Sequence, residues 1–262
     1  PHERNVFDIW FADTTQVSPL VLYIHGGGCV NGSKNGLNPD FLQEFLGSGI
    51  SVAALNYRFI THAPLPAAHY DVQQALQFIR SNAAAWKIDK TRIGAFGGSA
   101  GAQLCMWLAF SDEKADPNAT DPIARESSRL YCVATNGGQT TMDSTLWQAW
   151  IPEFERYRTT GEQFFGNLTE EEYRKTLDEI SAISIISSDD PPIFMRYGMG
   201  PDDAVPSNPK KAQGWKIHHV IFGIKLKEKM DALGVEAVLQ YPSVQPEYED
   251  RVDFFKKKLL QK

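Results

Sequence analysis

Apolar positions along the chain fall into short continuous runs, separated by longer segments in which they recur every three or four residues. The runs Leu20 to Ile24, Val52 to Tyr57, Ile93 to Phe96, Arg129 to Thr135, Pro192 to Gly198 and Val235 to Tyr241 read as buried strands, and Val6 to Trp10 alternates like a half-exposed one. Phe41 to Leu46 predicts a short helix. Pro66 opens a longer one, with Val72, Leu76, Phe78 and Ile79 at helical spacing and an end near Trp86. Leu104 to Phe110 continues another helix. A polar stretch leads to Ile217-His218-His219, which open a helix carrying Ile221, Ile224, Leu226, Met230 and Leu233 and ended by Gly234. Pro246 begins a terminal helix with Val252, Phe254, Phe255, Leu259 and Leu260. Strands alternating with helices predict an α/β fold, a mostly parallel sheet with helices on both faces.

One stretch breaks the alternation. From Gly137 to Asp190 the pattern gives helical fragments without a strand, and Trp147, Trp150, Phe154, Tyr157, Phe164, Phe165 and Tyr173 are concentrated there. We read residues 1–262 as a single domain with a helical insertion at about 137–190. So many rings must pack on the domain or line a site, which predicts a partial lid, with Trp147 and Trp150 as substrate-contacting candidates.

Composition narrows the classes of function. At 262 residues the chain is long enough for a substantial core, and its net charge of -6 argues against a nucleic-acid partner. Lys256-Lys257-Lys258 reads as the solvated face of the last helix. No run approaches the roughly 18 apolar residues of a membrane span. Cys29, Cys105 and Cys132 have no paired metal-ligand spacing, so no structural zinc is expected. The chain begins at Pro1 rather than Met, which leaves a secreted or periplasmic location open.

The candidate chemistry centres on Gly97-Gly98-Ser99-Ala100-Gly101, a Gly-x-Ser-x-Gly pattern where an apolar strand passes directly into an apolar helix. A strand reversing sharply into a helix strains the apex residue and holds its hydroxyl beside the positive end of the helix, where an attacking oxygen and its oxyanion both benefit. His25-Gly26-Gly27-Gly28 follows another buried strand, and glycines there leave backbone N–H groups uncovered for close approach to a substrate. His62 and His69 read as ordinary polar or capping side chains.

With these residues assembled, the chain resembles the α/β-hydrolase fold, and within it carboxylesterases and lipases of the hormone-sensitive-lipase-like and feruloyl/acetylxylan-esterase-like groups. The likeness rests on His25-Gly26-Gly27-Gly28, Asn56-Tyr57-Arg58, Pro66-Ala67-Ala68 with Asp71, the Gly97 to Gly101 elbow, and Asp190-Pro191-Pro192 before a strand and an acidic loop. It implies Ser99 as nucleophile and the N–H groups of Gly27, Gly28 and Ala100 as an oxyanion hole. It places the acid after Gly198: counting back from Val205-Pro206 selects Asp202, the preferred choice, and counting forward from Gly200 selects Asp203. The family's histidine follows the last strand, where this chain reads Tyr241-Pro242-Ser243-Val244-Gln245, and no histidine follows His219. His218 and His219 are the substitutes, because strand-to-helix loops of a parallel sheet emerge at the edge where Ser99 stands. The resemblance implies a cofactor-free serine hydrolase of short carboxylic esters, including acetyl or feruloyl groups on polysaccharide. The alternative is a degenerate hydrolase-fold protein that binds an ester or carbohydrate without cleaving it. Neither reading fixes an oligomeric state.

Overall fold

The computed structural model describes residues 2–155 and 161–261. Tyr157, one of the rings expected in the insertion, lies outside them. Among the described residues one sheet is formed by β1 (Phe7–Trp10), β2 (Ser18–Ile24), β3 (Ser51–Leu55), β4 (Ile88–Gly98), β5 (Cys132–Asn136), β6 (Ile193–Arg196) and β7 (Ala237–Gln240), in the order β1-β3-β2-β4-β5-β6-β7. Only β1 runs antiparallel, against β3. Every other neighbouring pair is parallel.

The helices are α1 (Pro39–Gly47), α2 (Ala67–Asn82), α3 (Ala100–Phe110), α4 (Ser144–Trp150), α5 (Gly161–Phe165), α6 (Glu170–Ile180), α7 (Ala182–Ile185), α8 (Pro209–Ile217), α9 (Ile221–Leu233) and α10 (Arg251–Leu259). Alternate side chains of each strand enter opposite cores. On one face Val21, Val52 and Phe96 pack with Phe45 of α1 and Phe254 and Phe255 of α10. On the other, Leu20, Leu22 and Ala95 meet Leu76 and Ile79 of α2, Leu104 and Trp107 of α3, and Phe222 and Leu226 of α9. Each fully buried Leu or Phe contributes on the order of 2–3 kcal/mol, so these two layers hold the sheet.

Helix α3 is buried along its whole length, which explains why its sequence is apolar all round rather than amphipathic. A helix so enclosed cannot shift without opening the core, and it fixes the strand-to-helix junction that carries Ser99.

Two elements differ from the expectation. The stretch before His218, read only as polar with no element assigned, contains α8, capped by the Asn208 side chain on the Lys211 N–H. The terminal helix starts at Arg251 rather than Pro246, because the Asp250 carboxylate caps the N–H groups of Val252 and Asp253. Between β5 and β6 the described residues form α4 to α7 and no strand. No helix among the described residues is long and apolar enough to cross a membrane.

Candidate active site

β4 ends at the carboxyl edge of the sheet and turns into α3 at Ser99, whose backbone sits at φ 55° and ψ −123°. A residue with a Cβ pays about 1–3 kcal/mol in such a conformation, so the surroundings must enforce it. They do so by close backbone approach. A Cβ on Gly101 would lie 2.0 Å from the Ile24 carbonyl oxygen, and one on Gly97 would lie 2.5 Å from the same atom. The Ser99 N–H donates to the Asn136 carbonyl at 3.0 Å, anchoring the apex to the end of β5.

His218 comes to this hydroxyl, with Nε2 2.9 Å from Ser99 Oγ. It does so from a different position than expected: it does not open a helix but caps the C-terminal end of α8, its N–H donating to the Gly214 and Trp215 carbonyls. Its Nδ1 lies 2.8 Å from the Gly214 carbonyl oxygen. A carbonyl only accepts, so Nδ1 carries the proton of the neutral ring and Nε2 offers its lone pair to the serine. Burial lowers the pKa of His218 from its ordinary value, a shift that the Gly214 hydrogen bond opposes. The ring packs over Gly137, where a Cβ would stand 3.3 Å from His218 Cδ2.

The acidic candidates do not join this pair. Asp202 and Asp203 are both exposed. Asp203 Oδ2 accepts the Gly200 N–H at 2.8 Å, and neither carboxylate bonds to a histidine among the described residues. The place beside Nδ1 that the resemblance gives to an acid is taken by the Gly214 carbonyl, because His218 stands at a helix end whose own carbonyls point at it.

Among the described residues His219 makes no hydrogen bond to Ser99 and does not line the cavity around it. Its Nδ1 accepts the Ile221 N–H at 3.1 Å, and its ring stands edge-on to Trp215 at 4.4 Å. Burial lowers its pKa, and the charge of Asp203 opposes that shift. His69 is likewise structural. It is fully buried, its Nε2 bonds Gln103 Oε1 at 3.0 Å, and burial drives its pKa down to about 3.

The glycine-rich loop approaches from the end of β2. Gly27 and Gly28 have φ of 110° and 62°, and Cys29 continues in the left-handed region at 58°. The Gly27 carbonyl accepts the N–H groups of Val30 and Asn31, which curls the loop back on itself. Among the described residues the N–H groups of Gly27, Gly28 and Ala100 donate to no backbone acceptor. Cys29 is buried and its thiol is pushed up to about 12, so it stays protonated.

Gly27, Gly28, Ser99 and Ala100 border a cavity of about 540 Å³. Its walls include Met142 and Trp147 from the segment between β5 and β6, and Lys210, Gln213, Gly214 and Ile217 along one side of α8. Trp147 is buried, with its indole N–H donating to the Thr141 carbonyl at 2.8 Å. Trp150 is half-buried, packs against Phe222, and does not line the cavity. Among the described residues no three His, Cys, Asp or Glu side chains cluster to hold a metal ion.

Sequence reasoning missed three contributors. The Gly214 carbonyl gives no signal, since any residue carries one. Arg4, which contacts His25 and Gly32, lies in a polar N-terminal segment without a pattern. Gln103, one turn after Ser99, was legible only as a polar residue inside an apolar helix.

A mostly parallel sheet with a strained serine at the strand-to-helix turn makes this an α/β-hydrolase fold. Within that class the chain belongs to the BD-FAE family, whose model matches residues 7–213. Among curated proteins it is 33% identical over 91 residues to carboxylesterase NlhH of Mycobacterium tuberculosis, and 34% identical over 108 residues to an arylesterase of Saccharolobus solfataricus. These matches span 35% and 40% of this chain, and only 28% and 35% of the two relatives. Among solved structures, a truncated carbohydrate esterase from gut microbiota superposes with a TM-score of 0.71 at 22% identity, covering 97% of this chain and 91% of that one. An acetyl ester-xyloside bifunctional hydrolase from Caldicellulosiruptor lactoaceticus gives a TM-score of 0.68 at 21% identity, covering 90% and 76%. At such identities these two structures speak for the fold.

Proposed function

We propose that the chain is a serine esterase that hydrolyses short carboxylic esters through an acyl-enzyme on Ser99. The observation that carries this reading is the 2.9 Å approach of His218 Nε2 to Ser99 Oγ, with Nδ1 committed as a donor to Gly214. In the first half-reaction Ser99 Oγ attacks the acyl carbon while its proton passes to His218 Nε2. The tetrahedral oxygen takes hydrogen bonds from the free N–H groups of Gly27, Gly28 and Ala100, at the positive end of α3. The imidazolium then returns the proton to the leaving alkoxide, and the acyl group stays on Ser99. A water deprotonated by His218 reverses these steps and releases the acid.

The imidazolium formed in each step is stabilised by a carbonyl dipole instead of a carboxylate. That is a weaker partner, offset by the end of α8, whose C-terminal carbonyls favour a positive charge. The segment between β5 and β6 acts as a partial lid, with Trp147 bounding the acyl side of the cavity. The curated relatives named as esterases and the neighbours named as carbohydrate and acetyl esterases favour small acyl groups carried on sugars as natural substrates.

The 2.9 Å distance between His218 Nε2 and Ser99 Oγ favours this reading over the binding-only alternative, whose motive is the missing histidine after the last strand. The test is turnover of p-nitrophenyl acetate with a pre-steady-state burst that Ser99→Ala abolishes. Absence of turnover together with no fluorophosphonate labelling defeats the proposal.

A further inference from the structure

The loop that brings Gly27 and Gly28 to the cavity spans His25 to Gly32, and its two ends are joined through one side chain outside it. Arg4 donates from Nε to the Tyr57 carbonyl at 2.8 Å and from Nη2 to the Gly32 carbonyl at 3.1 Å. The same Nη2 lies 3.3 Å from His25 Nε2. Its guanidinium also lies over the Phe59 ring, 3.6 Å from the centroid.

An arginine only donates, so His25 Nε2 must be an acceptor and the ring proton sits on Nδ1. That proton points to the Gly26 carbonyl 2.6 Å away. The imidazole, stacked on Tyr57 at 4.3 Å, thereby sets the plane of the peptide between Gly26 and Gly27. Tyr57 adds a second restraint, its hydroxyl donating to the His25 carbonyl at 2.8 Å. The fit has no slack, since a Cβ on Gly32 would lie 2.5 Å from His25 Nδ1 and 2.6 Å from the Gly26 oxygen.

We infer that Arg4 is a positioning residue for the oxyanion loop: through the His25 tautomer and the Gly32 carbonyl, it holds the Gly27 and Gly28 N–H groups facing Ser99. This rests on the esterase reading above. Burial and the Arg4 charge both lower the His25 pKa, which keeps the imidazole neutral and the tautomer intact. A lysine cannot replace the guanidinium, because a single ammonium on a flexible stem does not reach three acceptors in the planar fork arrangement.

The test compares Arg4→Ala and Arg4→Lys with wild type on p-nitrophenyl acetate. Removing one oxyanion donor outright costs about 10²–10³ in kcat, so loosening the loop is expected to cost roughly 10- to 100-fold, with KM changed less than threefold. Arg4→Lys is expected to stay low, and low-millimolar ethylguanidinium to restore part of kcat in Arg4→Ala. Retention of kcat within twofold in folded Arg4→Ala overturns the inference, as does a loss without rescue that tracks thermal stability. An independent readout is the ¹⁵N spectrum of wild-type His25. A protonated Nδ1 with an accepting Nε2 supports the clamp even if no ester is cleaved, in which case the esterase reading alone fails. The opposite tautomer refutes the clamp whatever the activity.

Discussion

Asp202→Asn and Asp203→Asn are the substitutions that best separate this site from an ordinary serine triad. Where a carboxylate holds the catalytic imidazole, conversion to the amide lowers kcat by about 10⁴ because the wrong tautomer results. Here Nδ1 of His218 donates to the Gly214 carbonyl, and the Asp203 carboxylate is exposed and engaged by the Gly200 N–H. What remains is a field through solvent. A unit charge about 10 Å away in water is worth about 0.4 kcal/mol, roughly a factor of two in rate, and less at physiological salt. Each variant, and the double variant, is therefore expected to keep kcat within about threefold of wild type on p-nitrophenyl acetate, measured alongside circular dichroism. A fall of 100-fold or more in either folded single variant refutes the argument, because it requires that carboxylate on the imidazole during turnover.

Other predictions follow from the same geometry. Since burial lowers the His218 pKa, the acid limb of kcat/KM is expected below pH 6.5, where the base is lost as pH falls; a limb above pH 7 contradicts the buried neutral ring. Gly101→Ala forces a Cβ against the Ile24 carbonyl and is expected to cost more than about 3 kcal/mol in urea unfolding, or to prevent folding altogether; a loss under 1 kcal/mol contradicts the packing. His69 titrates at about 3 when folded and near 6.5 when unfolded, so the unfolded state binds the extra proton and stability drops as pH falls through that window. His69→Gln is expected to flatten the stability–pH curve between pH 6 and 4, and an unchanged slope counts against it.

The sheet was readable because strands buried on both faces must be apolar throughout, as Leu20 to Ile24 and Ile93 to Phe96 are. The elbow was readable because only small residues fit where Gly97 and Gly101 meet the end of β2. Of the candidate site, the placement of Ser99 at the strand-to-helix turn and of the glycine loop at the cavity was legible because their signals are local, and what depends on contacts distant in sequence was not. His218 lies 119 positions from Ser99, and α8 carries one buried side chain, Trp215, too little periodicity to announce a helix. The pair His218-His219 was singled out by its edge of the sheet, and only the end of α8 turns one ring toward the serine and the other toward Trp215. The partner of His218 Nδ1 escaped because it is a backbone carbonyl, which no side-chain pattern announces.

The central claim is that His218 activates Ser99, and intact-mass measurement of fluorophosphonate labelling tests it most directly. The account predicts a single adduct on Ser99 in wild type, formed at a comparable rate in the Asp202→Asn and Asp203→Asn variants and slowed at least 100-fold in His218→Gln. Labelling of His218→Gln at the wild-type rate, or an adduct at a residue other than Ser99, contradicts it.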